Sequence, residues 1–257
     1  MGRFPFGAPV VACAIEVPQS RFAIVVVGAY PSAVHVRWCP PSGFGRPVSA
    51  LPVGNEPSAF WDGTGAEDLI ERWRSRYFDS AWGTISAPVG LNGSSGRDLQ
   101  QRWLRPLGYD RGEAFITDCL PTARASIGGA RRLADRYHPV VTALGAPPAE
   151  MARHPSEAAI VAEALKEHAH RIAEQVAQAA PDVIITLGNA AARVIAALGG
   201  QAGREAVLAP DTYGRERHVV VGGQTCVGKP SPTRQHRRHG PTATLPGSRR
   251  GDLQRAR

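Results

Sequence analysis

Arg21–Trp38, RFAIVVVGAYPSAVHVRW, is the stretch that decides the fold class. Ala23–Val27 is an unbroken apolar run in which every residue after Ala23 is β-branched. Such a run fits a strand covered on both faces, in the middle of a parallel sheet. Gly28 then permits a turn or a close backbone approach, Pro31 stiffens it, and Ser32 carries a hydroxyl that can donate to a ligand. Open α/β sheets bind ligands outside the carboxyl ends of their strands. Gly28, Ala29, Tyr30, Pro31 and Ser32 are therefore the expected edge of a pocket.

The same alternation continues along the chain. Glu113–Leu120 (EAFITDCL) reads as a second strand, closed by Pro121. Asp182–Leu187 (DVIITL) reads as a third and His218–Val221 as a fourth, with a turn expected at Asp211–Gly214. Helical spacing marks Ala66–Tyr77, with Leu69, Ile70, Trp73 and Tyr77 on one stripe, and Arg97–Leu107, with Leu99, Trp103 and Leu107. Pro155–Ala180 is the strongest helix, capped by Ser156 and stopped by Pro181, and Ala190–Leu198 is a shorter one. Strands alternating with helices imply an α/β fold with a parallel sheet covered on both sides. Cys39–Gly65 is rich in Pro and Gly and reads as a long loop, a kind that is more often functional than not. Phe60 and Trp61 in this loop are expected in the core or stacked on a ligand.

The length of 257 residues and the 43% hydrophobic content suit one domain with a tail: residues 1–222 as the α/β domain and 223–257 as a basic, disordered segment. No apolar run approaches the ~20 residues of a membrane span. The amino terminus lacks a basic cluster ahead of its apolar patch, so it reads as part of the domain, and a cytoplasmic location is expected. Cys13, Cys39, Cys119 and Cys226 form no CxxC pair, and no metal site is expected. His168 and His170, two apart on a helix, do not share a face.

The formal charge of +8 is concentrated at one end. Lys229–Arg257 holds one Lys and seven Arg against one Asp, a net of +7, which leaves +1 for the first 228 residues. Bulk charge therefore gives the folded part no nucleic-acid signal. The tail has only Leu245 and Leu253 as large aliphatic residues. In a gene this rich in Arg codons, C at the wobble bases of Ser231–Arg234 would make one alternative frame read through a His-Pro pair, so a shifted reading frame is also an expectation for the tail.

Four segments, in order, resemble the uracil-DNA glycosylase superfamily: VVVGAYPS, GLNGSSGRDLQQRWLRPLG, EAFITDCLPT and DVIITLGNAAARVIAAL. The resemblance spans roughly residues 22–221. It implies a three-layer α/β/α fold with a four-stranded parallel sheet, no cofactor, and damaged or single-stranded DNA as partner of a monomer. It implies hydrolysis of the N-glycosidic bond of uracil or another deaminated base, flipped out of the stack into a tight pocket. By the same resemblance, Gly28–Ser32 is the loop that holds the water-activating residue, and Asp118 stands where the family has a base-reading Asn. Ser94, Ser95 and Arg97 fall in the Gly-rich serine turn as phosphate contacts. Lys229-Pro230-Ser231 stands near the family's closing His-Pro-Ser-like loop, with Lys for His.

Two departures stand out. Between Gly and Pro the family carries Asp, Glu or Asn; here the positions hold Ala29 and Tyr30, neither of which is a good base at neutral pH. Asp118 as a carboxylate only accepts hydrogen bonds, where an amide both donates and accepts. Asp118 is thus a base reader, a general base, or a cap for the turn before Pro121, and Tyr30 a residue that stacks on the base or binds water. His154-Pro155-Ser156 precedes the third strand and reads as a helix cap. A non-catalytic relative that binds nucleic acid or a damaged base is the alternative to an active glycosylase. A third possibility is an unrelated α/β enzyme acting on a small nucleotide or sugar.

Overall fold

A computed structural model describes residues 2–200, 217–221 and 224–231. The expected turn at 211–214, the short apolar stretch 206–208 and the tail from 232 onward, with its candidate frame shift, lie outside the described residues.

The chain is an α/β protein. The main sheet has the order β5 (Ala114–Asp118), β1 (Ile24–Gly28), β6 (Val183–Leu187), β8 (Gln224–Ser231), β7 (Arg217–Val221). Strand β1 lies at its heart, parallel to β5 on one side and to β6 on the other. The period of two shows in β1 itself. Val25 and Val27 join Ile160, Ile172, Val176, Val194 and Ile195 in one core, while Ile24 and Val26 join Leu99, Leu104 and Ile185 in another. All four strand residues are fully buried, each contributing about 1.5–3 kcal/mol of hydrophobic stabilisation.

The first of these cores is roofed by α5 (Glu157–Glu163), α6 (Ala169–Ala179) and α7 (Asn189–Leu198), the second by α2 (Ser94–Leu99) and its continuation Gln100–Leu104. The long helix expected over Pro155–Ala180 is present but widens into a looser turn at Ala164–His168. Ser156 caps it as expected, its Oγ accepting from the amide of Ala159 at 3.2 Å.

The expectations for the sheet and for the long loop need correction. In place of a plain four-stranded parallel sheet, the three parallel strands β5, β1 and β6 are extended beyond β6 by two more: β8 (Gln224–Ser231) is parallel to β6, and β7 (Arg217–Val221) is antiparallel to β8. The expected fourth strand is therefore the antiparallel edge, and the boundary at 222 falls inside the sheet. Gln224–Ser231, with Gly228 and Pro230, carries too little apolar sequence to be recognised as a strand and is held by its place beside β6.

The long loop at 39–65 is also not a loop throughout. Strands β2 (Ala33–Cys39) and β3 (Val48–Asn55) form an antiparallel hairpin, completed by β4 (Thr84–Ser86). Pro52 and Gly54 gave β3 the look of a turn. They are tolerated because β3 is an edge strand whose register shifts near Pro52. This small sheet shares a third core with α1 (Ala66–Tyr77), the segment Leu133–Tyr137 that continues α3 (Ile127–Arg132), α4 (His138–Leu144) and the amino terminus, centred on Phe6, Trp38, Trp73 and Tyr137. Trp61 belongs to this core.

Candidate active site

Parallel pairing aligns Gly28, the last residue of β1, with Asp118, the last of β5. The pairing runs on beyond the strands, with the amides of Cys119 and Leu120 donating to the carbonyls of Gly28 and Ala29 at 2.9 and 3.0 Å. The two turns that leave the sheet here are thus one unit. No side chain fits on Gly28, because a Cβ there would overlap Oδ1 of Asp118 and approach Cε2 of Phe60 to 2.5 Å. Phe60 holds its ring in this position from a left-handed backbone, φ +50°, which costs an ordinary residue about 1–3 kcal/mol.

The hairpin β2–β3 begins directly after Gly28–Ser32 and returns to the same place. Its end delivers a second turn of the same pattern, Gly54-Asn55-Glu56-Pro57-Ser58. The amide of Glu56 donates to the carbonyl of Ser32 at 3.4 Å, which joins the two turns. The first turn lacks a carboxylate between Gly and Pro; the second carries Glu56.

Glu56 and Asp118 are 3% and 5% exposed, and neither Oε2 of Glu56 nor either oxygen of Asp118 has a hydrogen-bond partner among the described residues. Asp118 is therefore not the cap of the turn before Pro121. Burial pushes its carboxyl up to about 7, against the opposing pull of the Arg171 guanidinium. Glu56 is pushed up to about 8, first by burial and then by the charge of Asp118, opposed by its hydrogen bond with Ser32 and by Arg111. Because ionised Asp118 disfavours ionised Glu56, the pair is most readily accommodated with one proton between them.

The amino-terminal segment closes the site. The Cys13 amide donates to the carbonyl of Pro121 at 2.7 Å, and its thiol to the carbonyl of Glu56 at 3.0 Å. Burial and the two carboxylates push that thiol up to about 12, so it remains protonated. Cys13, Pro31, Ala59, Asp118, Leu120 and Arg171 line a cleft of about 30 Å³. That is room for water, given polar partners.

The remaining expected residues are distributed around this centre. Tyr30 is half-buried beside it and shares a short hydrogen bond with Nδ1 of His154. Burial raises its phenol, Arg124 lowers it and Asp118 raises it. His154-Pro155-Ser156 thus caps a helix and also reaches the pocket loop. It is carried there by the pairing of Ala125 with Arg153. Ala29 packs on the core, Pro31 is buried and Ser32 is exposed.

Ser94 and Ser95 open α2, half-buried. Arg97 spends both terminal nitrogens on backbone carbonyls: Nη1 donates to Asp62 at 2.6 Å and Asn92 at 2.8 Å, and Nη2 to Gly90 at 2.9 Å. It is a clamp between two loops. Register sets Ser231 opposite Leu187 and Lys229 opposite Ile185, so the backbone of Ser231 reaches the same carboxyl edge of the sheet as Gly28 and Asp118. Away from the site, Glu163, Glu167 and His168 bring three potential ligand atoms within 4.8 Å of one another, but Glu163 is already paired with Arg124 at 2.5 Å.

Glu56, Arg171 and Cys13 were not singled out from the sequence. The signal for Glu56 was present as a second Gly-x-x-Pro-Ser, hidden by reading its strand as loop. The model of the uracil DNA glycosylase superfamily matches residues 53–244, well over half of the chain, and the chain belongs to that superfamily. The match begins one residue before Gly54, so it includes the Glu56 turn and leaves Gly28–Ser32 outside. Among curated proteins no match is found.

Proposed function

We propose that this member of the uracil DNA glycosylase superfamily is an active DNA glycosylase, hydrolysing the N-glycosidic bond of uracil or another deaminated base during DNA repair in the cytoplasm. The observation that carries the proposal is the pair of buried, unpartnered carboxylates Glu56 and Asp118 at the carboxyl end of the sheet. In the free site the shared proton favours Glu56, at about 8 against about 7 for Asp118; a bound base that accepts from Asp118 draws it across, and Glu56, then ionised, orients and activates the attacking water. A protonated carboxyl offers one donor and one acceptor, as an amide does, so it can read the edge of a deaminated base that an ionised carboxylate would read poorly. Phe60 offers a flat wall against which the extruded base stacks. Tyr30, backed by His154, donates to the departing base anion.

The bond from C1′ to the base breaks with its electron pair on the base. Water adds to C1′ and gives its proton to Glu56. A flipped base is larger than the present cleft, so binding displaces the wall formed by residues 13–16. Ser94, Ser95 and the end of β8 at Lys229 and Ser231 serve as phosphate contacts, and the protein acts as a monomer without metal or cofactor. Glu56 supplies the carboxylate that the Gly28 turn lacks, which favours catalysis over the non-catalytic alternative.

The test is base release from labelled oligonucleotides carrying uracil, hypoxanthine or xanthine, with alkali cleaving the abasic sites, by wild type beside Asp118→Ala. Release from at least one substrate, lost in the variant, is expected. No release from any, with DNA still bound, would return the reading to a non-catalytic relative.

A further inference from the structure

One helix face reaches both walls of the carboxylate site. Arg171 and Gln175, one turn apart on α6, point at the end of β5. Nη2 of Arg171 donates to the carbonyls of Asp118 and Cys119, both at 2.8 Å. Its Nη1 donates to Oγ1 of Thr117 at 3.2 Å and to Oε1 of Gln175 at 3.0 Å. The same Gln175 oxygen accepts from the Thr117 hydroxyl at 3.0 Å. The Gln175 amide nitrogen donates to the carbonyl of Glu16 at 2.7 Å and so anchors the segment whose Cys13 thiol binds the backbone of Glu56.

The guanidinium thus closes two carbonyls where β5 ends, while Gln175 ties down the opposite wall. A planar fork with fixed donors suits this task, which an ammonium cannot reproduce. We propose that Arg171, supported by Gln175, is the positioning residue of the site: it fixes the backbone from which Asp118 projects and supplies the positive charge that acts on the Asp118 carboxyl. The role given to Asp118 rests on the glycosylase reading; the positioning itself does not.

The groups that act with or against Asp118 come from every neighbouring segment. They are Glu56 after β3, Cys13 from the amino terminus, Tyr30 from the loop after β1, Cys119 beside it, and Arg171 from α6. Among the described residues, Arg171 is the cation that acts on Asp118 itself, and it opposes the effect of burial. Without it, Asp118 holds its proton to higher pH and its turn loses two carbonyl partners.

The experiment is carbon-13 NMR of free protein, following the Asp118 carboxyl through a pH titration and the backbone carbonyls of Asp118 and Cys119, in wild type, Arg171→Met and Arg171→Lys. In Arg171→Met the Asp118 titration is expected to move up by about one pH unit or more. In Arg171→Lys it is expected to stay closer to wild type, while the two carbonyl shifts move in both variants. An unmoved titration in a folded Arg171→Met overturns the electrostatic role. Unmoved carbonyl shifts in Arg171→Lys overturn the positioning role, and this second variant decides the question if Arg171→Met does not fold. No DNA is present, so an absence of glycosylase activity leaves both readouts intact.

Discussion

Gly28 and Asp118 stand level on adjacent parallel strands, so close that a methyl group on Gly28 would occupy the place of Oδ1 of Asp118. The Asp118 carboxyl and the end of β1 are therefore coupled by contact. Gly28→Ala has to push aside both Asp118 and the ring of Phe60. Overpacking of this kind costs about 1–3 kcal/mol, at about 2–4 °C per kcal/mol in a domain of this size. Thermal unfolding should show a drop of several degrees, and base release should fall at least tenfold, by about 1.4 kcal/mol of transition-state stabilisation.

The buried carboxylates make stability depend on pH with a definite sign. Glu56 rises from an ordinary 4.5 to about 8 and Asp118 from 3.8 to about 7. A raised carboxyl favours the folded state while protonated. That contribution is complete below the ordinary values and is lost as pH rises through about 7 to 8. Urea unfolding should therefore show wild type more stable near pH 5 than near pH 9, by an amount on the order of a few kcal/mol. Glu56→Gln should flatten much of this slope.

Arg97 is a structural clamp on three carbonyls. Arg97→Ala leaves the part-buried carbonyls of Asp62 and Asn92 short of a partner and should cost about 1–3 kcal/mol in denaturant unfolding. The salt dependence of DNA binding should be unchanged. A slope reduced by about one would instead assign the guanidinium to a phosphate.

Tyr30→Phe keeps the ring and removes the hydroxyl that meets His154. The fold should persist, with base release reduced by about tenfold, well short of the effect of removing a general base. Single-turnover rates of Tyr30→Phe and Glu56→Gln side by side give the comparison.

Much of this architecture is legible in the sequence, and the failures have physical causes. The run Ile24–Val27 announces a doubly covered strand because both faces are apolar, and the Ser156 cap marks its helix because the cap is a local interaction. Strand β3 is concealed because Pro52 and Gly54 are punctuation by composition, and only an edge position with a shifted register lets them lie in a sheet. With β3 concealed, Glu56 reads as a loop residue and Ala29 and Tyr30 stand alone between Gly and Pro, although the hairpin brings both turns to one point. Arg171 could not be found from sequence at all, because nothing in a helical arginine shows that it will meet the carbonyls of Asp118 and Cys119 some fifty residues earlier.

The most direct measurement is the single-turnover rate of uracil release by wild type and by Glu56→Gln, with DNA binding measured on the same samples. The assignment of water activation to Glu56 predicts a fall of about 100-fold or more, with binding retained. A Glu56→Gln protein that releases uracil at the wild-type rate would contradict it.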